Sequence, residues 1–185
     1  MISRTIGGWA LLINALMTLF ILVGTNAVGG GDTLYLVIGE VGSLLFIAGL
    51  LAIWTMQPHT GRLGQIGLWF LGISTGIAFI VRLLLLFSSI DVGDLLPLSS
   101  ALFGLIGSLL VGWVTIRASV FHPAIGWLLI AGGVLNIISG LLPADTGATL
   151  VGITAGLAQA AALGGYGWTM LRRAPVAQRA SLERG

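Results

Sequence analysis

Six stretches of about twenty apolar residues, separated by short polar breaks, leave this chain little choice of environment. A bilayer core about 30 Å thick is crossed by about 20 apolar residues in a helix. Stretches of that length fall at residues 6–28, 34–56, 66–88, 101–120, 124–142 and 148–171. The breaks carry turn chemistry: Gly29-Gly30-Gly31-Asp32, Pro58-His59-Thr60-Gly61, Asp91-Val92-Gly93-Asp94, His122-Pro123 and Pro143-Ala144-Asp145. Composition supports the same conclusion. Only 8% of the 185 residues are charged and 57% are hydrophobic, whereas a soluble domain is about 25% charged. The expected fold is all-α, a polytopic bundle of six transmembrane helices over residues 1–173, followed by a loose polar tail at 174–185.

The first span admits another reading. Arg4 and the small-residue site Thr25-Asn26-Ala27 resemble a secretory signal peptide. The apolar run is long for that role, and it matches two later spans in detail, so it is read as a helix.

Arginine fixes the expected orientation. Arg4, Arg62, Arg117, Arg172, Arg173, Arg179 and Arg184 lie at the N-terminus, in the second and fourth breaks, and at the C-terminus. The other three breaks hold no Arg or Lys, only the acids Asp32, Asp91, Asp94 and Asp145. Cytoplasmic loops carry the basic excess, so both termini are expected in the cytoplasm. Tryptophan gives an independent pattern. Trp9, Trp54, Trp69, Trp113, Trp127 and Trp168 place one indole on each span, near the end predicted to be cytoplasmic. Such rings anchor helices at the membrane interface.

The same tryptophans expose an internal periodicity. Trp9, Trp69 and Trp127 open the odd spans at intervals of about 60 residues, and Trp54, Trp113 and Trp168 close the even ones. Ile6-Gly7-Gly8-Trp9, Ile66-Gly67-Leu68-Trp69 and Ile125-Gly126-Trp127-Leu128 are alike. The chain therefore reads as three tandem, parallel helical hairpins, related by an axis along the membrane normal. Small residues at fourfold spacing share one helix face: Gly72 and Gly76, then Gly104, Ser108 and Gly112, then Gly152, Gly156, Ala160 and Gly164. Each ladder is expected to pack against a neighbouring helix or, through one of them, against a second copy.

Two ionisable residues fall inside spans, Glu40 and Arg82. An intramembrane charge costs about 2.5–3.5 kcal/mol on insertion scales and marks a functional candidate. Their depths match: counted from Trp54 and Trp69, both lie about 20 Å along the helix axis. Joined by a short connection, the two helices are expected to be neighbours and Glu40 and Arg82 to form an ion pair, with Thr75 and Ala78 on the inward face of Arg82. Asn14, Asn136 and Gln159 lie nearer the midplane. They are read as interhelical hydrogen-bonding groups or as the lining of a polar cavity, with Asn136 sharing a face with Gly132 and Gly140.

No catalytic motif is present. The two histidines, His59 and His122, sit in loops on the side expected to be cytoplasmic, where Glu183 in the tail is the one acid, too few ligands for a zinc site. There is no cysteine, no phosphate-binding glycine loop and no nucleophile elbow. The excess of Arg without Lys or a basic stripe speaks against nucleic acid. No cofactor or metal is expected, and no enzyme activity. The partners expected are the lipid bilayer and a membrane protein or a second copy.

The Gly- and Leu-rich hairpins, with Gly61-Arg62-Leu63-Gly64 before the third span and Ile125-Gly126-Trp127-Leu128-Leu129 opening the fifth, resemble a broad group of small uncharacterised bacterial multi-span membrane proteins. That resemblance implies a bacterial cytoplasmic membrane and a six-helix bundle, and carries no functional residue with it. Two functions are compatible with this reading. The first is a non-enzymatic scaffold or accessory subunit. The second is a small transporter or channel that uses Glu40 and Arg82.

Overall fold

The computed structural model describes residues 4–28, 33–56, 61–87, 95–118, 120–143 and 147–182, and among them every regular element is helical. The helices are α1 (Arg4–Val28), α2 (Thr33–Met56), α3 (Gly61–Phe87), α4 (Leu95–Arg117), α5 (Pro123–Leu141) and α6 (Ala148–Leu182). All six are long and apolar enough to cross a membrane. The chain is an integral membrane protein of the multi-pass helical class.

Helices α3, α4 and α6 end differently from the expected spans. α3 starts at Gly61 rather than 66, because Arg62 and Gln65 are good helix formers that an apolar window discards. α4 starts at Leu95 rather than 101 and stops at Arg117. Pro97 and the serines after it read as a turn, yet a first-turn proline lacks only a donor that has no helical partner there. α6 runs on to Leu182 through the segment expected to be loose; its alanines and arginines favour helix. The turn residues 29–32, 58–60, 91–94 and 144–145, with His59, Asp32, Asp91, Asp94, Asp145, Glu183 and Arg184, lie outside the described residues. At α5, His122 is the N-cap and its Nδ1 accepts the Ala124 N–H at 3.2 Å, with Pro123 in the first turn.

The helices form a ring. Each packs chiefly on its neighbours in sequence, α6 closes on α1, and the α2–α3 seam is by far the sparsest. Hydrophobicity does not drive this packing in lipid, so close backbone approach must supply much of it. Glycine permits that approach at two seams between hairpins. A Cβ on Gly167 would lie 2.6 Å from the Gly8 carbonyl oxygen, and one on Gly112 would lie 2.7 Å from that of Gly126. Each of these glycines immediately precedes a tryptophan. At the α2–α3 seam the residues before Trp54 and Trp69 are Ile53 and Leu68, both buried. Two bulky side chains stand where the other seams have none, and that accounts for the wider gap.

Close contacts of Gly7 with Ala52 and of Gly67 with Val111 set the remaining pairs at the same level, so the six tryptophans ring one end of the bundle. All six are exposed on its outside. The Arg117 guanidinium lies 4.5 Å from the Trp113 ring centroid and that of Arg172 lies 4.6 Å from Trp168, cation–π contacts one helical turn apart. Core packing concentrates at this end. Leu11, Leu71 and Leu129, each two residues after a tryptophan, point inward and are buried, together with Ile53, Val111 and Met170. Across the centre, the Thr115 hydroxyl and the Tyr166 phenol are 2.6 Å apart and almost wholly buried. Phe121 meets the Tyr166 ring edge-on at 4.8 Å between centroids. Tyr166→Phe strands the Thr115 hydroxyl and is expected to cost about 1–3 kcal/mol. Thr115→Val combined with it removes both polar partners and should recover most of that loss in thermal unfolding of the detergent-solubilised protein.

The small-residue ladders divide. Gly104 faces the Ser74 hydroxyl, Gly112 faces α5, Gly152 faces Ser139 and Gly156 faces Leu22, so the α4 and α6 ladders pack within the molecule. The expected packing of Gly72 and Gly76 is not found: nothing approaches within 4 Å of a Cβ built on either. Both are half-buried, with room for a side chain before any described residue is met.

Candidate functional site: a cavity in the helical ring

Above the packed end the ring encloses a cavity of about 1100 Å3, lined by residues from all six helices. Its floor is apolar, formed by Leu71, Leu129 and Leu163. From there it extends to Tyr35, Leu85 and Pro97, each near a helix end at the opposite pole from the tryptophans. The middle is polar, with Asn14, Ser74, Thr75, Ser108, Asn136 and Gln159 in the wall. The upper wall carries Arg82 and Ser43 among apolar side chains such as Ile21, Leu36 and Val81.

Hydrogen bonds to backbone carbonyls satisfy several of the hydroxyls. Thr18 and Thr75 donate to the carbonyls of Asn14 and Leu71 one turn back, both at an oxygen–oxygen distance near 2.9 Å or less. Ser74 and Ser100 exchange bonds, each hydroxyl donating to the other's carbonyl at 2.8 and 2.9 Å, which ties α3 to α4. Ser139 donates to the Ala148 carbonyl at 2.9 Å and ties α5 to α6. The amides are different. Asn14, Asn136 and Gln159 all line the cavity, as one of the two sequence readings expects. Asn136 makes no side-chain hydrogen bond to a described residue: it is exposed, and Gly140 on its face has open space around it. Asn14 is 92% buried against the cavity without a side-chain hydrogen bond to a described residue.

Arg82 and Glu40 do meet, but loosely. Arg82 Nη1 is 3.7 Å from Glu40 Oε1, beyond hydrogen-bond distance. The same nitrogen donates to the Gly39 carbonyl and to Ser43 Oγ, each at 2.8 Å. Ser43 in turn donates to Gly39 O at 3.0 Å. These two Arg82 bonds are the hydrogen bonds that cross the sparse α2–α3 seam among the described residues. Arg82 keeps 31% of its side chain exposed and Glu40 only 10%. Glu40 lies outside the cavity lining, and neither of its carboxylate oxygens has a hydrogen-bond partner among the described residues. Arg82 is thus the cavity's charged group, and Glu40 is the countercharge behind it.

Family models, curated proteins and solved structures yield no match to this chain.

Function must therefore be read from the cavity's own chemistry. Among the described residues no three metal-binding side chains converge, and the His122 imidazole is engaged in capping α5. Three features escaped the sequence reading. Ser43 shares a face with Gly39 and Arg82's approach, a fourfold spacing that could have flagged it. The Ser74–Ser100 exchange and the Thr115–Tyr166 bond join residues 26 and 51 apart, for which no local spacing gives a signal.

Proposed function

We propose that this protein binds a small molecule in the cavity and moves it into or across the membrane, as a small transporter does. The observation that carries this reading is the cavity itself, with one guanidinium and three amides in a wall drawn from every helix. A bundle serving only as scaffold has no need to leave its middle open and polar, since buried polar groups without partners cost stability. Ligand pockets combine a mostly apolar wall with a few placed polar groups and span about 300–1000 Å3, and this one is slightly larger.

The tryptophan-ringed, closed end is read as the cytoplasmic one, from the Arg distribution, so that the cavity opens outward. The hairpins are read as a threefold tandem repeat. Support comes from the equivalent buried Leu11, Leu71 and Leu129 and from the paired glycine crossings before Trp9 and Trp168 and before Trp113 and Trp127.

A second reading, an accessory subunit, is favoured by one observation. Gly72 and Gly76 offer an unoccupied small-residue face on α3, of the kind a partner helix uses. Native mass spectrometry of the protein taken from its own membrane in mild detergent separates the two. The transporter reading expects the chain to carry a small non-protein adduct that is displaced on collisional activation. A stoichiometric protein partner with no such adduct would replace it by the subunit reading.

A further inference from the structure

We infer that the free edge of Arg82 seats the oxyanion headgroup of a membrane amphiphile, whose apolar chain lies in the seam between α2 and α3. This rests on the cavity being a ligand site and goes further by naming the ligand's chemistry and its route.

The headgroup follows from the unused donors of Arg82. A guanidinium has five N–H groups. Nη1 spends its two on Gly39 O and Ser43 Oγ. Nε and Nη2 have no partner among the described residues, and they form the edge that grips a carboxylate or phosphate with two parallel bonds. The Nη1 bonds hold that edge in position, so little side-chain freedom is lost on binding. Glu40 offsets the charge without taking a hydrogen bond. Its position behind the wall leaves the cavity side of the guanidinium to a ligand. Asn14, buried and without a side-chain hydrogen bond to a described residue, together with Asn136 and Gln159, supplies further donors deeper in the same space.

The chain's place follows from the seam. Arg82 stands in the sparsest seam of the ring, and its own two bonds bridge it. Leu36 and Leu85, about one turn farther from the tryptophans, give an apolar lining on both sides. Below, the buried Ile53 and Leu68 keep α2 and α3 apart. An acyl chain leaving Arg82 between these helices passes into lipid without crossing a polar layer. A small soluble anion would use the guanidinium but gain nothing from this wall.

The test uses the full chain in nanodiscs, with Ala78→Cys as reporter one turn from Arg82. The chain has no other cysteine. A small water-soluble thiol reagent should label it, and dodecanoate should slow that labelling. Dodecanol and acetate at the same concentration should be at least about tenfold weaker, since each lacks one half of the recognition. Glu40→Gln, which removes the competing carboxylate, should raise the affinity for dodecanoate. The Glu40→Gln/Arg82→Gln pair, which leaves no charge unmatched, should still be labelled but lose the protection. Equal protection by dodecanol overturns the oxyanion, and equal protection by acetate overturns the amphiphile. Protection that survives in the double variant overturns Arg82 as the seat. In each of these cases the cavity reading stands. A reporter that is never labelled overturns both.

Discussion

Gly126→Leu is expected to abolish recovery of folded protein, and Gly126→Ala to lower its stability by about 1–3 kcal/mol, the usual cost of overpacking. A Cβ at this position would lie 2.5 Å from the carbonyl oxygen of Gly112 and 2.8 Å from Ile116 Cγ1. The first obstacle is backbone, and backbone cannot rotate away as a side chain can. Relief requires α4 and α5 to separate at the packed end, where their contact closes the ring. Gly112→Ala should behave similarly, because its Cβ would meet Gly126 O. The contrast lies on α3. Gly72→Ala and Gly76→Ala meet nothing within 4 Å and should be neutral, or stabilising through helix propensity of up to about 1 kcal/mol each. Thermal unfolding in detergent measures all four. Equal losses at Gly76 and Gly126 would mean that the space beside Gly76 is filled and the ring is packed differently.

The second large effect concerns the buried charges. Arg82→Gln leaves Glu40 with no cation beside it and severs both hydrogen bonds across the α2–α3 seam. Breaking a buried pair from one side costs about 3–5 kcal/mol, whereas removing both charges is often nearly neutral. The single variant should therefore unfold well below the wild type. Adding Glu40→Gln should restore the part due to the stranded carboxylate, though not the seam's two hydrogen bonds, which are worth about 1.5–3 kcal/mol each to a charged donor. A double variant no more stable than Arg82→Gln would show that Arg82 acts through Gly39 and Ser43 alone and that Glu40 is a bystander.

Length and hydropathy made the six spans legible, since a bilayer fixes how much apolar helix a crossing needs. The meeting of Glu40 and Arg82 was legible too, because two charges at matched depth on adjacent helices have few other partners. Inward and outward faces were not. In water a helix shows its core face by amphipathicity, but here the lipid side and the core side are both apolar, so the pattern carries little information. Gly72 and Gly76 show the consequence. Their spacing is the same as that of the packed ladders on α4 and α6, and only the fold reveals that nothing lies against them. The cavity was hidden for a related reason. Leu71, Leu129 and Leu163 form its floor, yet in sequence they are indistinguishable from leucines that fill a core. Asn136 suggested a hydrogen bond because buried amides usually find one; its surroundings in the ring leave it facing open space instead. Tyr166 and Thr115, which close the far end, lie on helices that are not neighbours in sequence, and no periodicity couples them.

The central claim is a ring of helices packed shut at the tryptophan end, around a cavity that extends toward the other. Single cysteines at Ala101, Ala78 and Thr115, in a chain that otherwise has none, test it directly when a membrane-impermeant thiol reagent is applied to each side of sealed vesicles in turn. The account predicts that Ala101→Cys and Ala78→Cys react from one side only, the side away from the tryptophans, and that Thr115→Cys, buried in the packed end, reacts from neither. Labelling of Thr115→Cys as fast as of the other two, or no labelling of Ala78→Cys from either side, would contradict it.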